Sequence, residues 1–304
     1  MSPAFGRGDY LATYEVDLLR LYDAATLRLV ATIPTGHTVP TGIVVEDDGQ
    51  VVVRGAGLSV YSMDGTPIRT LSAEAGRGWL ARLKPGWVAA TFFDDVVAYS
   101  VDGKSVQRVD SFFVPLGLNV TPGGKLLVRS QHQVRIYSGW PLRLQSSITF
   151  GDDVTSVEPI SADVIVVATS PHGDQMEEPR KPVGEVTLYE YKLSDQGLLH
   201  KVSLGLKGFS IVSRVGDMIA VYVDQCSTLR PGTVVFLRSD LSRSDLKDYD
   251  VGGTASVTAT DHELIMGVSP CTSRVPGEIW EYDVLTGIPK KLFDGPFLAL
   301  GSRE

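Results

Sequence analysis

The stretch Ser170-Pro-His172-Gly-Asp174-Gln-Met-Glu177-Glu178-Pro-Arg180-Lys181-Pro-Val-Gly184 concentrates residue types that can hold a divalent ion. One imidazole and three carboxylates in so short a span suit such an ion. The same residues also make an ordinary charged, solvated loop, because loops are rich in them. The second reading is the stronger expectation, so no metal and no cofactor is assigned. Cys226 and Cys271 are the only cysteines. Joined, they would form one disulfide, which requires Cα atoms within about 7 Å. Left apart, they would be two buried thiols. A thiol nucleophile needs a base within hydrogen-bond reach, and local spacing brings none. His37, His132, His200 and His262 form no Ser-His-Asp set by local spacing either. No catalytic residue is therefore assigned.

The elements that must carry these residues are short strands. Alternation of apolar and polar residues at strand period is expected through Gln50-Val-Val-Val-Arg54, Lys125-Leu-Leu-Val-Arg129 and Val164-Ile-Val-Val-Ala168. No stretch of 12 residues has helical apolar spacing. Self-comparison then reveals a repeat. A strand ending in tyrosine and a polar turn recurs at Tyr22, Tyr61, Tyr99 and Tyr137, at intervals of 39, 38 and 38. The series continues through longer insertions at Tyr189, Leu237 and Tyr282. Spread over seven units, 304 residues give about 43 each, the size of a four-stranded propeller blade. The fold class expected is all-β: one domain, residues 1–304, forming a seven-bladed β-propeller.

Each blade reads as strands a, b, c and d from the inside out. The N-terminus offers only three strands: Tyr10–Glu15, Leu18–Tyr22 and Leu27–Ile33. Phe297–Leu300 would supply the fourth. That closure would remove the open edge between first and last blades.

The Ser170–Gly184 loop has two counterparts. They are Asp224-Gln-Cys226-Ser-Thr-Leu-Arg230-Pro-Gly232 and Ser269-Pro-Cys271-Thr-Ser-Arg274-Val-Pro-Gly277. All three leave strand b, carry an arginine and then a proline, and return to strand c at a glycine. Enlarged in blades 5 to 7, they would raise one crescent on the face shared by b–c and d–a connections. The candidate contact residues are His172, Asp174, Glu177, Glu178, Arg180, Lys181, Asp224, Arg230 and Arg274. Arginine binds carboxylates through a planar fork and stacks on aromatic rings. The prolines restrict the loops and reduce the entropy lost on docking.

The stretch from Tyr22-Asp23 through Thr26 and Ala31-Thr-Ile-Pro34-Thr-Gly36, then Pro40-Thr-Gly42 and Asp48-Gly49, resembles the YVTN-type propeller repeat. Pro115-Leu-Gly117 with Gly123-Gly124, and Tyr282-Asp283-Val-Leu-Thr286-Gly287, repeat pieces of it. The resemblance implies a seven-bladed fold and little about activity, because propellers host binding proteins, surface-layer proteins and enzymes alike. A WD40 assignment would want recurring Gly-His and Trp-Asp pairs, which are missing. Quinoprotein and sialidase signatures are missing too. A lactonase-type propeller would hold a metal on inward Glu, Asn and Asp. The inner strands here offer Arg82, Asn119, Glu158, Arg214 and Thr258, a set better suited to lining a solvated channel.

The totals agree with a globular chain: 43% hydrophobic and 21% charged. The net charge of −8 repels phosphates, so direct nucleic acid contact is not expected. No apolar run is long enough for a membrane-spanning helix. No secretory leader is visible, which favours the cytoplasm unless a leader precedes this sequence. Asn119 is the sole asparagine and arginine outnumbers lysine. Asparagine depletion suggests heat adaptation. The function expected is a non-catalytic scaffold that presents the crescent to a protein partner or a surface assembly. The alternative is an enzyme with a site at the channel mouth, such as a metal-assisted hydrolase or lactonase.

Overall fold

Runs of valine, leucine and alanine bounded by Asp-Gly, Pro-Gly or Gly-Gly turns build seven antiparallel sheets. The computed structural model describes residues 10–294, apart from 16, 24–25, 37–39, 75–77, 111–113, 172–183, 226–231, 245, 247, 252–254, 260–261 and 269–277. Blade 1 holds β1 (Tyr10–Glu15), β2 (Leu18–Asp23) and β3 (Leu29–Pro34). Blade 2 holds β4 (Gly42–Val45), β5 (Val51–Arg54), β6 (Leu58–Tyr61) and β7 (Pro67–Ser72). Blade 3 holds β8 (Leu80–Lys84), β9 (Trp87–Phe92), β10 (Asp95–Ser100) and β11 (Val106–Asp110). Blade 4 holds β12 (Gly117–Val120), β13 (Leu126–Arg129), β14 (Gln133–Ser138) and β15 (Arg143–Thr149). Blade 5 holds β16 (Asp153–Pro159), β17 (Val164–Ser170), β18 (Glu185–Lys192) and β19 (Gly197–Lys207). Blade 6 holds β20 (Phe209–Val215), β21 (Met218–Asp224), β22 (Gly232–Arg238) and β23 (Tyr249–Val251). Blade 7 holds β24 (Ala255–Ala259), β25 (Glu263–Val268), β26 (Glu278–Asp283) and β27 (Ile288–Asp294). Within each sheet the strands lie in chain order, every neighbour antiparallel.

The cores lie between the sheets. Ile43 and Val45 of blade 2 pack with Leu19, Leu21 and Ile33 of blade 1. Equivalent clusters join blades 2 and 3, 3 and 4, 4 and 5, 5 and 6, and 6 and 7. A smaller one, Ile265 and Ile279 against Tyr22, Leu27 and Leu292, joins blade 7 back to blade 1. Seven interfaces for seven blades make a closed ring. The chain is a seven-bladed β-propeller. The strand expected to complete blade 1, Phe297–Leu300, lies outside the described residues.

This arrangement corrects the alternation expected of strand b. β5 is buried at all four positions, and β17 at every position after the first. A sheet clamped between two neighbours has no solvent face, so its inner strands read as apolar runs. Solvent exposure begins at strand d, as in β7 and β15. Blades also approach closely at the inner strands. A Cβ on Gly42 would lie 2.5 Å from Cβ of Leu80 in the next blade, so the opening residue of β4 has to be glycine.

One member of the tyrosine series needs correction. In blades 1, 2, 3, 4 and 7 the repeat residue stands in register with a residue at the start of strand b: Leu11↔Tyr22, Val51↔Tyr61, Val88↔Tyr99, Leu126↔Tyr137 and Leu264↔Tyr282. Leu237 pairs likewise with Ile219. In blade 5 the equivalent pair is Ile165↔Tyr191, and Tyr189 faces Val167 two residues further on. The bulge that precedes the tyrosine on the strand-d side of blades 1, 2 and 4 recurs between Glu190 and Tyr191.

Candidate functional site

Because every sheet runs a to d in antiparallel order, b–c and d–a connections emerge on one face of the ring. The a–b and c–d turns emerge on the other. The b–c connections of blades 2, 3 and 4 are short, as between Arg54 and Leu58 or between Phe92 and Asp95. Those of blades 5, 6 and 7 leave at Ser170, Asp224 and Val268 and return at Glu185, Gly232 and Glu278. Their positions in adjacent blades put the ends of three long connections on neighbouring sheets.

The feet of the blade 5 and blade 6 connections are braced. Buried Ser170 donates its hydroxyl to the carbonyl of Gly208 at 2.5 Å, linking blade 5 to the start of blade 6. Nearby, the buried hydroxyls of Thr155 and Ser210 lie 2.7 Å apart. Pro171 and Gly184 approach closely where the blade 5 connection leaves and returns. In blade 6 the buried amide of Gln225 donates to Thr233 Oγ1 at 3.2 Å, and Thr233 donates to Asp250 at 3.0 Å. Gly232 lets the chain re-enter over the fully buried Tyr222. A Cβ there would fall 2.5 Å from the ring. Side-chain hydrogen bonds that lock neighbouring residues limit the motion of what they hold.

Of the candidate contact residues, Asp224 is described. It closes β21, is half-buried and faces Phe209 across the sheet. His172, Asp174, Glu177, Glu178, Arg180, Lys181, Arg230 and Arg274 lie outside the described residues, as do Cys226, Cys271 and His37. His132 occupies the short b–c turn of blade 4, with Nδ1 3.2 Å from the carbonyl of Asp152. His200 pairs with the buried Glu190 at 2.5 Å on the outer strand of blade 5. His262 precedes β25 on the a–b side. Among the described residues no three His, Cys, Asp or Glu side chains converge to hold a metal. No helix among them is long and apolar enough to cross a membrane.

The inner-strand residues do not all face a solvated channel. The Arg82 side chain is 7% exposed and lies against blade 2, with one terminal nitrogen 2.6 Å from Asp47 and 3.3 Å from Glu46. Arg82 therefore ties two blades together, because an inner strand set beside its neighbour's a–b turn meets that turn's carboxylates first. Glu158 works similarly, accepting the Arg214 amide of blade 6 at 3.1 Å. Arg214 is exposed, and its guanidinium donates to the carbonyls of Gly216 and Ile160. Asn119 is half-buried in β12, and the side chain of Thr258 is outside what is described.

The Glu46–Arg82 contact opens onto a cleft that sequence reading did not find. It lies on the a–b and c–d face, between blades 2 and 3, with a volume of about 380 Å³. Glu46, Asp47, Asp48, Gly86, Trp87 and Asp102 are among its lining residues. Glu46 is 5% exposed. Its Oε2 accepts the Gly86 amide at 3.0 Å, while Oε1 has no hydrogen-bond partner. Burial pushes the Glu46 carboxyl above its ordinary value, against the opposing pull of the Gly86 amide and Arg82. Glu46 and Arg82 stand 36 positions apart in the chain, and neither stands in a motif. The acidic run Glu46-Asp47-Asp48 before Gly49 was the one available signal.

No protein-family model matches the chain, and no curated protein matches it by sequence. Among solved structures, it is similar to the computationally designed Ika8 protein, with a TM-score of 0.68 at 13% identity, covering 99% of this chain and 90% of that one. It is also similar to the WD40 domain of Neurospora crassa Pan2, with a TM-score of 0.63 at 12% identity, covering 87% of this chain and 84% of that one. What is shared is the propeller fold. At these identities the likeness extends to fold alone, and the YVTN-type repeat remains a resemblance of local sequence.

Proposed function

We propose that this propeller is a non-catalytic scaffold whose b–c crescent over blades 5 to 7 receives a protein partner or joins a surface assembly. The observation that carries the reading is the placement of the three long connections. They spring from adjacent blades, on one face, and those of blades 5 and 6 leave strand ends braced by Ser170, Gln225 and Gly232. A rigid scaffold that holds variable loops is a common way to build a recognition surface. The arginines Arg180, Arg230 and Arg274, mixed with Asp174, Glu177, Glu178 and Asp224, suit a partner with acidic or aromatic contacts.

The test replaces residues 172–183, 226–231 and 269–277 with two-residue turns like the Phe93-Asp94 turn of blade 3. The variant should keep the thermal midpoint of the parent and lose its partner in pull-downs from the native cell. An unchanged set of partners with a well-folded variant would move the binding site to another surface.

A further inference from the structure

We draw no further inference here: the strongest candidate, the exposed apolar surface that Phe93 in the b–c turn of blade 3 and Val114 and Leu116 in the connection to blade 4 present on one face of the ring, is unpartnered, and nothing in the structure shows what covers it.

Discussion

Arg54 has no exposed surface, yet it carries a full charge. Its guanidinium donates to the carbonyls of Gly55, Gly57, Glu74 and Thr91 at 3.0–3.4 Å and lies 4.2 Å over the ring of Phe92. It thus joins its own b–c turn, its own d–a connection and strand b of the next blade. Arg129 ends strand b of blade 4 at the matching place, and donates to Leu116 and, at 2.6 Å, to Val154 of blade 5. Burial lowers the Arg54 pKa from its ordinary value, so the site tolerates the charge only because the carbonyls surround it. Arg54→Met should cost about 3–5 kcal/mol in urea unfolding, since it strands those carbonyls. A loss below about 1 kcal/mol would mean that water replaces the guanidinium.

Glu46 makes a prediction of opposite sign to most paired carboxylates. Its folded value is raised above 4.5, chiefly by burial. The folded chain therefore holds this proton more tightly than the unfolded chain. The stability contributed by the group is fully present below the unfolded value and is lost as pH rises through the folded one. Glu46→Gln removes that dependence. The stability of the parent relative to Glu46→Gln should therefore increase as pH falls from neutrality to about 4. A relative decrease on acidification would show that the Arg82 pairing outweighs burial.

At the scale of elements, burial separates the two halves of each blade. Leu127, in strand b of blade 4, is 1% exposed, while Leu144, in strand d of the same blade, is 54% exposed. Leu127→Ala should cost about 2–5 kcal/mol, as buried leucines do. Leu144→Ala should stay within about 0.5 kcal/mol, as for a surface position. Equal costs, read from urea midpoints, would contradict the stacking of sheets described above.

The strands were legible in sequence because a constant spacing placed Tyr22, Tyr61, Tyr99 and Tyr137 on equivalent strands. The fifth was read two residues early. The 172–183 insertion removes the spacing there, and Tyr189 and Tyr191 lie on the same side of strand c. A bulge, which has no simple sequence signature, sets which of them is equivalent. Strand b was misread as alternating because alternation presumes a solvent face, and inner propeller strands have none. The Glu46–Arg82 pair was illegible for another reason. It depends on which turn of one blade meets which strand of the next, and that offset appears only once the sheets are stacked. The loop feet were half legible: the glycines stood out, but their contacts with Pro171 and Tyr222 did not.

For the whole molecule, the ring is held by one apolar interface per blade junction. The junction between blades 7 and 1 has the smallest described core, two buried residues with three partly buried neighbours. β1 has a paired outer edge against β2 and no inner neighbour among the described residues. We expect the C-terminal segment to occupy that inner edge. Deleting residues 296–304 should lower the thermal midpoint and promote association through the exposed edge. An unchanged midpoint with a monomeric truncated chain would argue that blade 1 is complete without it.

The scaffold reading makes its most direct commitment about where a native partner touches the ring. Hydroxyl-radical footprinting of the complex captured from native cells, compared with the free chain, measures this. Protection should concentrate in residues 172–183, 226–231 and 269–277, with the c–d turns of blades 5 to 7 unaltered. Protection confined to the inner strands or to the opposite face, with those three segments as reactive as in the free chain, would contradict the reading.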